Sequence, residues 1–457
     1  MRKILPIVVI GIVILSGFGA GAFSEKRTHG MQHVSGNGED MVIIAPQVFE
    51  KQLGRLVDHK NSYGVSTFLK TMEEINDEYE GRDSAEKLKY FIKDALETYT
   101  ISYVLLVGGR KNQFLQWHVP VRYVQLDDGF SYPTYMSDLY FADIYRNGNE
   151  FDDWDSDGDG IFAEWGEDDL DLVPDVCIGR LPCRNRFEVK IVVDKIIEYE
   201  TNTYGESWFQ KAVFVGGDTF AGIGDPFPYE GEETCDIAAS YLDGFETNKL
   251  YASQGTSSDE ELIEAVSEGC GFVMTRCRGG SDRVRLPLLD ESEVIILHNQ
   301  IVPKFKNKDM YPVLVLGQCW NAKFDVCLLN ILRYLRNESY IYESDCIPEC
   351  IAWRMTRKLN GGSIATLSNI NTCYGAFGDN DQNGIPDDAE LYGGFLAVEV
   401  FRLYGDEGLQ TLGEIHRKSI ENYIAAYTAV YSNNIHCKSI QEWTLLGDPS
   451  LMIGGYP

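Results

Sequence analysis

The chain has 457 residues, 44% of them hydrophobic, so it is long enough for two or more domains with sizeable cores and is not disordered as a whole. Asp and Glu number 70 against 40 Lys and Arg, and the formal net charge of -30 repels nucleic acids and anionic membrane surfaces. We therefore exclude nucleic acid as a partner and expect cations to be favoured as ligands.

The first 40 residues predict a targeting segment followed by a linker. Arg2 and Lys3 precede an apolar stretch over residues 4–23 that ends on small residues. Residues 1–24 are thus typical of a secretory signal peptide, although the stretch is also long enough for an uncleaved membrane anchor. Residues 25–40 are polar and contain glycine, which predicts a flexible linker. Either alternative places the protein outside the cytoplasm, extracellular or at the cell surface, with membrane contact only through such an anchor.

From residue 41 onward, short β-rich runs alternate with helical stretches, as in βαβ units around a mainly parallel sheet. A first unit is predicted over residues 41–205, and its residues 127–175, rich in aromatic, acidic and glycine residues, predict an elaborated loop region. The predicted elements are a strand in MVIIAP, a helix over 49–63, a strand over 65–69, a helix over 85–99, strands in TISYVLLVGG and DVCIGRLP, and a helix over 187–199.

A second unit is predicted over residues 206–457, after a polar break. Its predicted elements are strands in KAVFVGGD, GFVMT, PVLVLG and GSIATLS, helices over 235–242, 259–267, 392–403 and 411–427, and a short terminal strand in EWTLLGDPSLMI. The two units together predict the α/β fold class, with two adjoining subdomains built on mainly parallel sheets flanked by helices.

Cys319 is a candidate nucleophile because it follows the apolar strand PVLVLG at its carboxyl end. Reactive groups in open α/β sheets collect beyond the carboxyl ends of the strands. The strand GFVMT ends in RCRGG, where a histidine that activates the thiol is expected and is missing. A buried structural thiol is the competing interpretation.

The cysteine count allows two interpretations. Eleven is an odd number, so at least one thiol is unpaired if the others form disulfides. Cys346 and Cys350 are close enough in sequence to pair or to share one helix face. Buried thiols in a mildly reducing setting explain the count equally well.

The segment GDNDQNGIPDDAEL predicts a calcium site, since its residues follow the spacing D-x-D-x-N-G-x5-E. Calcium binds about six to eight oxygens, which alternate acidic side chains, a backbone carbonyl and a closing glutamate supply around a tight turn. A solvated acidic loop is the alternative. The predicted ligands are Asp379, Asp381, Asn383, Ile385, Asp387 and Glu390.

The segment DWDSDGDGIFAEWGED predicts a second calcium loop, and Ca²⁺ is the cofactor that we expect. Gly166 occupies the position of the closing glutamate, so another acid has to complete the shell. The expected role is to stabilise the folded loops by mass action. The predicted ligands are Asp155, Asp157, Asp159, Ile161 and Glu164, with Glu167 as the alternative to Glu164.

Several segments together resemble the gingipain-type cysteine peptidases, peptidase family C25 in the caspase-like clan. MVIIAPQVFEKQLGRLVDHKNSYGV is similar to the family's opening strand and helix, DVCIGRLPCRN to the end of its first subdomain, CWNAKF to its nucleophile segment, and LLGDPSLMI to its last core elements. The resemblance covers about residues 41–453. It implies a caspase-like second subdomain that carries the active site of a cysteine endopeptidase, with a protein or peptide as ligand.

The resemblance also implies roles for single residues. It implies a thiolate at Cys319 and an oxyanion hole formed by the backbone N–H groups of Cys319 and Gly279. Asp218 is the nearest match to the carboxylate that orients the catalytic histidine. The family's Y-S-G-H-G segment aligns with TRCRG, which places Arg278 at the histidine position. An arginine stays protonated and cannot act as a general base near neutral pH.

Two hypotheses follow from this substitution. The first is an exported cysteine endopeptidase that uses Cys319 with an unusual or displaced base. His118, in the first subdomain, is a remote substitute for that base. His298, which follows a predicted helix, could approach only by rearrangement, and the sequence favours a solvent-facing histidine there. The second is a calcium-stabilised pseudo-peptidase, a non-catalytic binding or structural module in which Arg278 pairs with Asp218.

Overall fold

The structure is a computed structural model, and it describes residues 38–146, 148–220, 229–255, 257–288, 292–336 and 343–457. The predicted signal peptide or anchor, residues 1–24, and most of the predicted linker, residues 25–37, lie outside the described residues. Within the described segments, no helix combines the length and the apolar composition that crossing a bilayer requires.

The strands of the two main sheets are short apolar runs. Strand β1, with the sequence MVIIA, is buried at every position, as expected for a parallel strand covered on both faces. The described strands are β1 (Met41–Ala45), β2 (Thr67–Thr71), β3 (Tyr103–Val107), β4 (Tyr123–Gln125), β5 (Thr134–Met136), β6 (Tyr145–Arg146), β7 (Glu150–Phe151), β8 (Cys177–Leu181), β9 (Lys211–Gly216), β10 (Glu246–Tyr251), β11 (Phe272–Arg276), β12 (Arg278–Gly280), β13 (Arg283–Pro287), β14 (Glu293–His298), β15 (Val313–Leu316), β16 (Ala365–Asn369) and β17 (Trp443–Leu446).

Several helices begin where a polar side chain caps the free backbone N–H groups. Thr71 and Ser258 each form a capping box with the glutamate three residues later. The described helices are α1 (Glu50–Ser62), α2 (Met72–Glu78), α3 (Ser84–Tyr99), α4 (Arg186–Asn202), α5 (Glu230–Ser240), α6 (Asp259–Ser267), α7 (Asn330–Leu335), α8 (Ile351–Thr356), α9 (Asp387–Glu390), α10 (Tyr392–Gly405), α11 (Leu412–Ala426) and α12 (Asn434–Gln441).

Two mainly parallel sheets organise the chain. The first has the strand order β2-β1-β3-β8 and is parallel throughout. The second has the order β10-β9-β11-β15-β16-β17, in which β17 runs antiparallel to its neighbour. Helices flank both sheets, which confirms the predicted α/β fold class.

The two sheets adjoin at their edges. A Cβ atom on Gly179 in β8 would lie 2.4 Å from the carbonyl oxygen of Gly447, which follows β17, so the close approach requires glycine at position 179. The strands of the two sheets fall on either side of residue 205. The boundary between residues 205 and 206 stays a prediction.

A small antiparallel sheet, β12-β13-β14, lies between β11 and β15 in the sequence. The prediction of a helix before His298 is wrong, because EVIILH forms strand β14. Three successive β-branched residues, Val294, Ile295 and Ile296, favour a strand over a helix. This sheet carries Arg278 and Gly279 toward the nucleophile position.

Candidate active site

Cys319 lies beyond the carboxyl end of β15, the position that the sequence predicts for a reactive group. Its thiol is partly exposed and donates a hydrogen bond to the carbonyl oxygen of Cys373 at 3.4 Å. Trp320 follows in a left-handed backbone conformation, with φ of 61°, and its backbone N–H donates to the carbonyl of Asn371 at 2.7 Å. These contacts hold the thiol between β15 and the segment after β16.

Gly279 contacts the backbone of Cys319. A Cβ atom at position 279 would lie 2.1 Å from the carbonyl oxygen of Cys319 and 2.8 Å from its nitrogen. The structure therefore brings together the two residues that the resemblance assigns to an oxyanion hole. The approach is possible because glycine has no side chain.

Arg278 binds Thr219 and Glu293. Its Nε and Nη2 atoms donate to the carbonyl oxygen of Thr219 at 3.0 and 2.8 Å, and its Nη1 atom lies 3.4 Å from Glu293. Asp218 is buried, and its backbone N–H donates to the carbonyl of Pro287. Among the described residues, the ion pair of Arg278 is formed with Glu293, so the expected pair with Asp218 is not found.

Arg276 is the buried arginine of the site, and the sequence analysis missed it. Its Nε atom donates to Asp388 at 2.7 Å, and a second bond to the same carboxylate makes the pair bidentate. The guanidinium also donates to the carbonyl of Gly317 and contacts the sulfur of Cys373 at 3.3 Å. The sequence contains one indication of this ion pair. A charged residue ends the apolar strand FVMTR, and an arginine buried there needs a carboxylate partner.

The thiol of Cys319 has a raised pKa. Burial raises the pKa of Cys319 to about 11, while the hydrogen bond to Cys373 and the positive charges of Arg276 and Arg285 act in the opposite direction. Burial also raises the pKa of Cys373 to about 12. Both groups are thiols rather than thiolates at neutral pH.

The described histidines have partners elsewhere or lie in the small sheet. His59 bonds to Glu200 at 2.9 Å, His118 to the carbonyl of Arg184 at 3.3 Å, His416 to that of Trp443 at 3.2 Å, and His436 to Tyr423 at 2.8 Å. His298 ends β14, opposite Arg283. In the described segments of the chain, no imidazole is hydrogen-bonded to the sulfur of Cys319.

The sequence profile of Peptidase family C25 matches residues 35–454. The chain belongs to Peptidase family C25. Gingipain R2 of Porphyromonas gingivalis is 21% identical over 423 residues, which cover 90% of this chain and 46% of that protein. Gingipain R1 of the same organism is 21% identical over 427 residues, which cover 91% of this chain and 34% of that protein. The chain thus spans less than half the length of these curated relatives.

Solved structures of this family share the fold. The Arg-specific cysteine proteinase gingipain R superimposes with a TM-score of 0.63 at 19% identity, over 91% of this chain and 78% of that chain. A complex of the pro- and mature domains of RgpB from Porphyromonas gingivalis gives a TM-score of 0.62 at 19% identity, over 91% of this chain and 79% of that chain. The likeness confirms the caspase-like fold that the resemblance implied.

The cysteines of this C25 chain are mostly buried. Eight of the eleven are buried, and Cys319, Cys346 and Cys373 are partly exposed. Cys350 is a free thiol just before α8, so a disulfide with Cys346 is not found. The interpretation as core thiols therefore fits most of these residues.

The first acidic loop has a donor set that suits calcium. Asp155, Asp157 and Asp159 each place a carboxylate oxygen within 4.8 Å of the other two. Hydrogen bonds within the loop help to hold it, since the backbone N–H of Ile161 donates to the side-chain carboxylate of Asp159 at 2.7 Å. Arg82 forms an ion pair with Asp155, which supplies a positive charge at one side of the cluster.

Two further acids adjoin this loop. Partial burial and the nearby charge of Asp159 raise the pKa of Glu164. Asp168 accepts hydrogen bonds from the backbone N–H groups of Ser156 at 2.6 Å and Glu164 at 2.8 Å. The sequence analysis missed Asp168, because it lies outside the spacing of the calcium motif.

The second acidic loop also gathers oxygen donors. The backbone N–H groups of Asn383 and Gly384 donate to Asp379 at 3.0 and 2.9 Å, and the Asn383 amide bridges Asp381 at 3.1 Å and Glu390 at 2.9 Å. Ile385 donates its N–H to Asn383 at 2.7 Å. Within the described part of the chain, however, the acids of this loop do not form a group of three whose oxygens lie within 4.8 Å of one another, as those of the first loop do.

The second loop leads directly into the buried ion pair of the site. Asp387 accepts hydrogen bonds from Asn380 and begins α9. The next residue, Asp388, binds Arg276, and Arg276 in turn binds the carbonyl of Gly317, two residues before Cys319. The acidic loop and the nucleophile position are thus connected through two side chains.

Proposed function

We propose that this C25 chain binds a protein or peptide segment beside Cys319 without hydrolysing it efficiently, as a pseudo-peptidase. One observation carries the proposal. The Cys319 thiol is hydrogen-bonded to the carbonyl of Cys373, while the side chain at the histidine position is Arg278, which is bound to Thr219. Among the described residues, neither an imidazole nor a carboxylate is hydrogen-bonded to the sulfur.

Amide cleavage by a thiol needs two proton transfers. The sulfur must lose its proton before it attacks, and the leaving amine must receive one. With a pKa of about 11, roughly one Cys319 thiol in ten thousand is ionised at pH 7. The guanidinium of Arg278 keeps its proton, so it performs neither transfer.

The charges on the small antiparallel sheet favour an acidic ligand. Arg278 and Arg285 share the single carboxylate of Glu293, at 3.4 and 3.0 Å. Both guanidinium groups are about one-third exposed, at 39% and 35%. Among the described residues, these two arginines and Glu293 leave one positive charge on the small sheet, and a peptide carboxylate would neutralise it.

Export and calcium binding belong to the same proposal. The basic residues Arg2 and Lys3 before an apolar stretch support a location outside the cytoplasm, at the cell surface or in the extracellular medium. The oxygen-rich loops around Asp157 and Asp381 support calcium as the stabilising cofactor. We assign residues 41–205 and 206–457 to two subdomains, with the binding cleft in the second.

A cysteine endopeptidase with a different base is the second candidate function. It is favoured by the contact between Gly279 and the backbone of Cys319, which a C25 active site would need for attack on a carbonyl. In that case the chain would cleave peptides, and cleavage would depend on the sulfur.

The test compares binding and cleavage of the same peptides. The purified chain and Cys319→Ala are incubated with a library of fluorescent peptides, and both fluorescence polarisation and product formation are measured. We expect equal binding by the two proteins, tighter binding of acidic peptides, and no cleavage above that of Cys319→Ala. Cleavage by the natural chain that is lost in Cys319→Ala would establish the endopeptidase instead.

A reciprocal variant tests the reason for inactivity. Arg278→His supplies an imidazole at the aligned position, and we expect it to raise peptide hydrolysis above that of the natural chain. Arg278→Gln is the matched control, because it removes the charge without supplying a base. Equal rates for the two variants would mean that the missing histidine does not limit the reaction.

A further inference from the structure

Two buried cysteines meet one backbone carbonyl next to the segment that carries Arg278. Cys235 lies in α5, and Cys277 stands between the end of β11 and Arg278. Their sulfur atoms donate to the same oxygen, the carbonyl oxygen of Val215 in β9, at 3.6 and 3.7 Å. The two thiols are therefore neighbours in space, although β10 and α6 lie between them in the sequence.

Backbone packing brings these two thiols together. A Cβ atom on Gly231, in the first turn of α5, would lie 2.5 Å from the carbonyl oxygen of Arg276 and 2.7 Å from that of Gly217, so the contact requires glycine. Cys235 is four residues after Gly231 and lies on the same face of the helix. That face therefore presents Cys235 to the residue after Arg276, which is Cys277.

The surroundings of the pair favour a covalent bond over two separate thiols. Cys235 is 0% exposed and Cys277 is 3% exposed. A thiol is a weak hydrogen-bond donor, so little is lost when both bonds to the Val215 carbonyl are given up. A disulfide requires the sulfur atoms to approach to about 2.05 Å, which cysteine side chains reach by rotation about their Cα–Cβ bonds.

We propose that Cys235 and Cys277 are oxidised to a disulfide that fastens the segment of Arg278 and Gly279 to α5. The location outside the cytoplasm, on which this step rests as part of the proposed function, supplies the oxidising surroundings in which disulfides persist. The bond closes a loop that contains β10 and α6, and it restricts the unfolded chain more than the folded one. Cys319 takes no part in it.

Thiol–disulfide exchange with a small-molecule disulfide, such as oxidised glutathione, accounts for every atom and electron. The thiolate of one cysteine attacks the small disulfide, forms a mixed disulfide and releases one small thiolate. The thiolate of the second cysteine attacks the protein sulfur of the mixed disulfide and releases the other. The small disulfide gains two electrons, and its two thiolates take up the two protons that the cysteines lose. Burial raises the pKa of Cys235 and of Cys277, so the exchange takes place during folding, while thiolates still form.

The first experiment identifies the bond directly. The full chain is secreted into a bacterial periplasm, and a second sample is unfolded, reduced and refolded with oxidised glutathione. Free thiols are alkylated in denaturant without reduction, and the digest is analysed by mass spectrometry. We expect the peptides of Cys235 and Cys277 to be joined in both samples. Alkylation of both residues, or a bond from either one to a different cysteine, overturns the proposal.

The second experiment measures what the bond contributes. The melting temperature of the oxidised protein is determined with and without dithiothreitol. We expect the reductant to lower it by about 3 °C or more in the natural chain, and by the same amount in Cys270→Ala, which loses another fully buried thiol. Cys235→Ala should not respond, and a response equal to that of the natural chain overturns the proposal. Neither experiment depends on peptide binding beside Cys319.

Discussion

At the scale of single residues, the site depends on what surrounds one sulfur. Cys319 is placed beyond a strand end, as in a peptidase, but its hydrogen bond goes to a backbone carbonyl, and its neighbours of fixed charge are arginines. The positive charges stabilise the thiolate form of Cys319 only weakly, because burial raises the pKa of the thiol more than the arginines lower it. The residue keeps its position without the partner that would activate it.

The contact between Gly279 and Cys319 gives the first prediction. Gly279→Ala places a methyl group 2.1 Å from the Cys319 carbonyl oxygen, so we expect it to destabilise the protein by about 1–3 kcal/mol and to disturb ligand binding. Gly280→Ala is the control, since the nearest atom to its Cβ is 3.5 Å away. Urea unfolding of both variants measures the difference, and equal stabilities would contradict the described contact.

At the scale of elements, the ends of β11, β15 and α9 meet in a buried ion pair. Arg276 ends β11, Asp388 lies in α9, and Gly317 follows β15. Because both charged side chains are almost fully buried, each one needs the other. The pair therefore fixes the nucleophile segment relative to the second acidic loop.

Asp388→Asn tests the importance of that pair. It leaves the guanidinium of Arg276 buried without a countercharge, which we expect to cost about 3–5 kcal/mol of unfolding free energy. Asp282→Asn is the matched change at the more exposed pair with Arg283, where we expect a loss below about 1 kcal/mol. Similar losses for the two variants, measured by chemical denaturation, would argue against a structural role for the buried pair.

The sequence predicts elements better than it predicts contacts between them. Apolar runs such as MVIIA and VLVL identify the parallel strands, because both faces of such strands are buried. EVIILH has the same apolar character, but only its adjacent residues Ile296 and Leu297 are buried in the small sheet, and its apolar run does not by itself distinguish a strand from a helix. Short helices such as α2 and α12 were missed, since they span only 7 and 8 residues.

In the candidate site, too, the sequence predicts single positions better than contacts between distant residues. The end of an apolar strand identifies Cys319, and the spacing of acids identifies the two loops. Arg276 and Asp388, however, are separated by 112 positions in the chain, and only the sheet order brings them together.

At the scale of the whole molecule, buried charges join the two sheets. Lys60 in α1 binds Glu200 at 2.7 Å and Asp448 at 2.9 Å, and all three side chains are fully buried. Lys438 in α12 binds Asp128 at 2.9 Å, also without exposure. The pairs Lys60–Asp448 and Lys438–Asp128 link the N-terminal half of the chain to its C-terminal end, so we expect the two halves to unfold together.

Buried histidines make the whole molecule sensitive to acid. Burial lowers the pKa of His416 and of His436 to about 4, whereas a histidine in the unfolded chain has a pKa of about 6.5. The unfolded chain therefore binds more protons between these values, and stability falls as the pH decreases from about 6.5 to 4. The loss reaches about 2 kcal/mol for each histidine at pH 5.

The variant His416→Gln isolates one of the two contributions. It can still donate to the carbonyl of Trp443 but does not titrate, so its stability falls less steeply between pH 7 and pH 5. Urea midpoints at the two pH values, for the variant and for the natural chain, provide the comparison. Parallel pH dependences would show that His416 is protonated in the folded protein.

We expect the Cys319 thiol, which is hydrogen-bonded to no base in the described part of the chain, to stay protonated at neutral pH. The most direct measurement is the rate at which iodoacetamide alkylates Cys319 in the folded chain, followed by mass spectrometry of its peptide from pH 6 to pH 9.5. With a pKa of about 11, the rate rises about tenfold for each pH unit and does not level off in this range. A plateau that begins below about pH 8 would show an activated thiolate and would contradict the account.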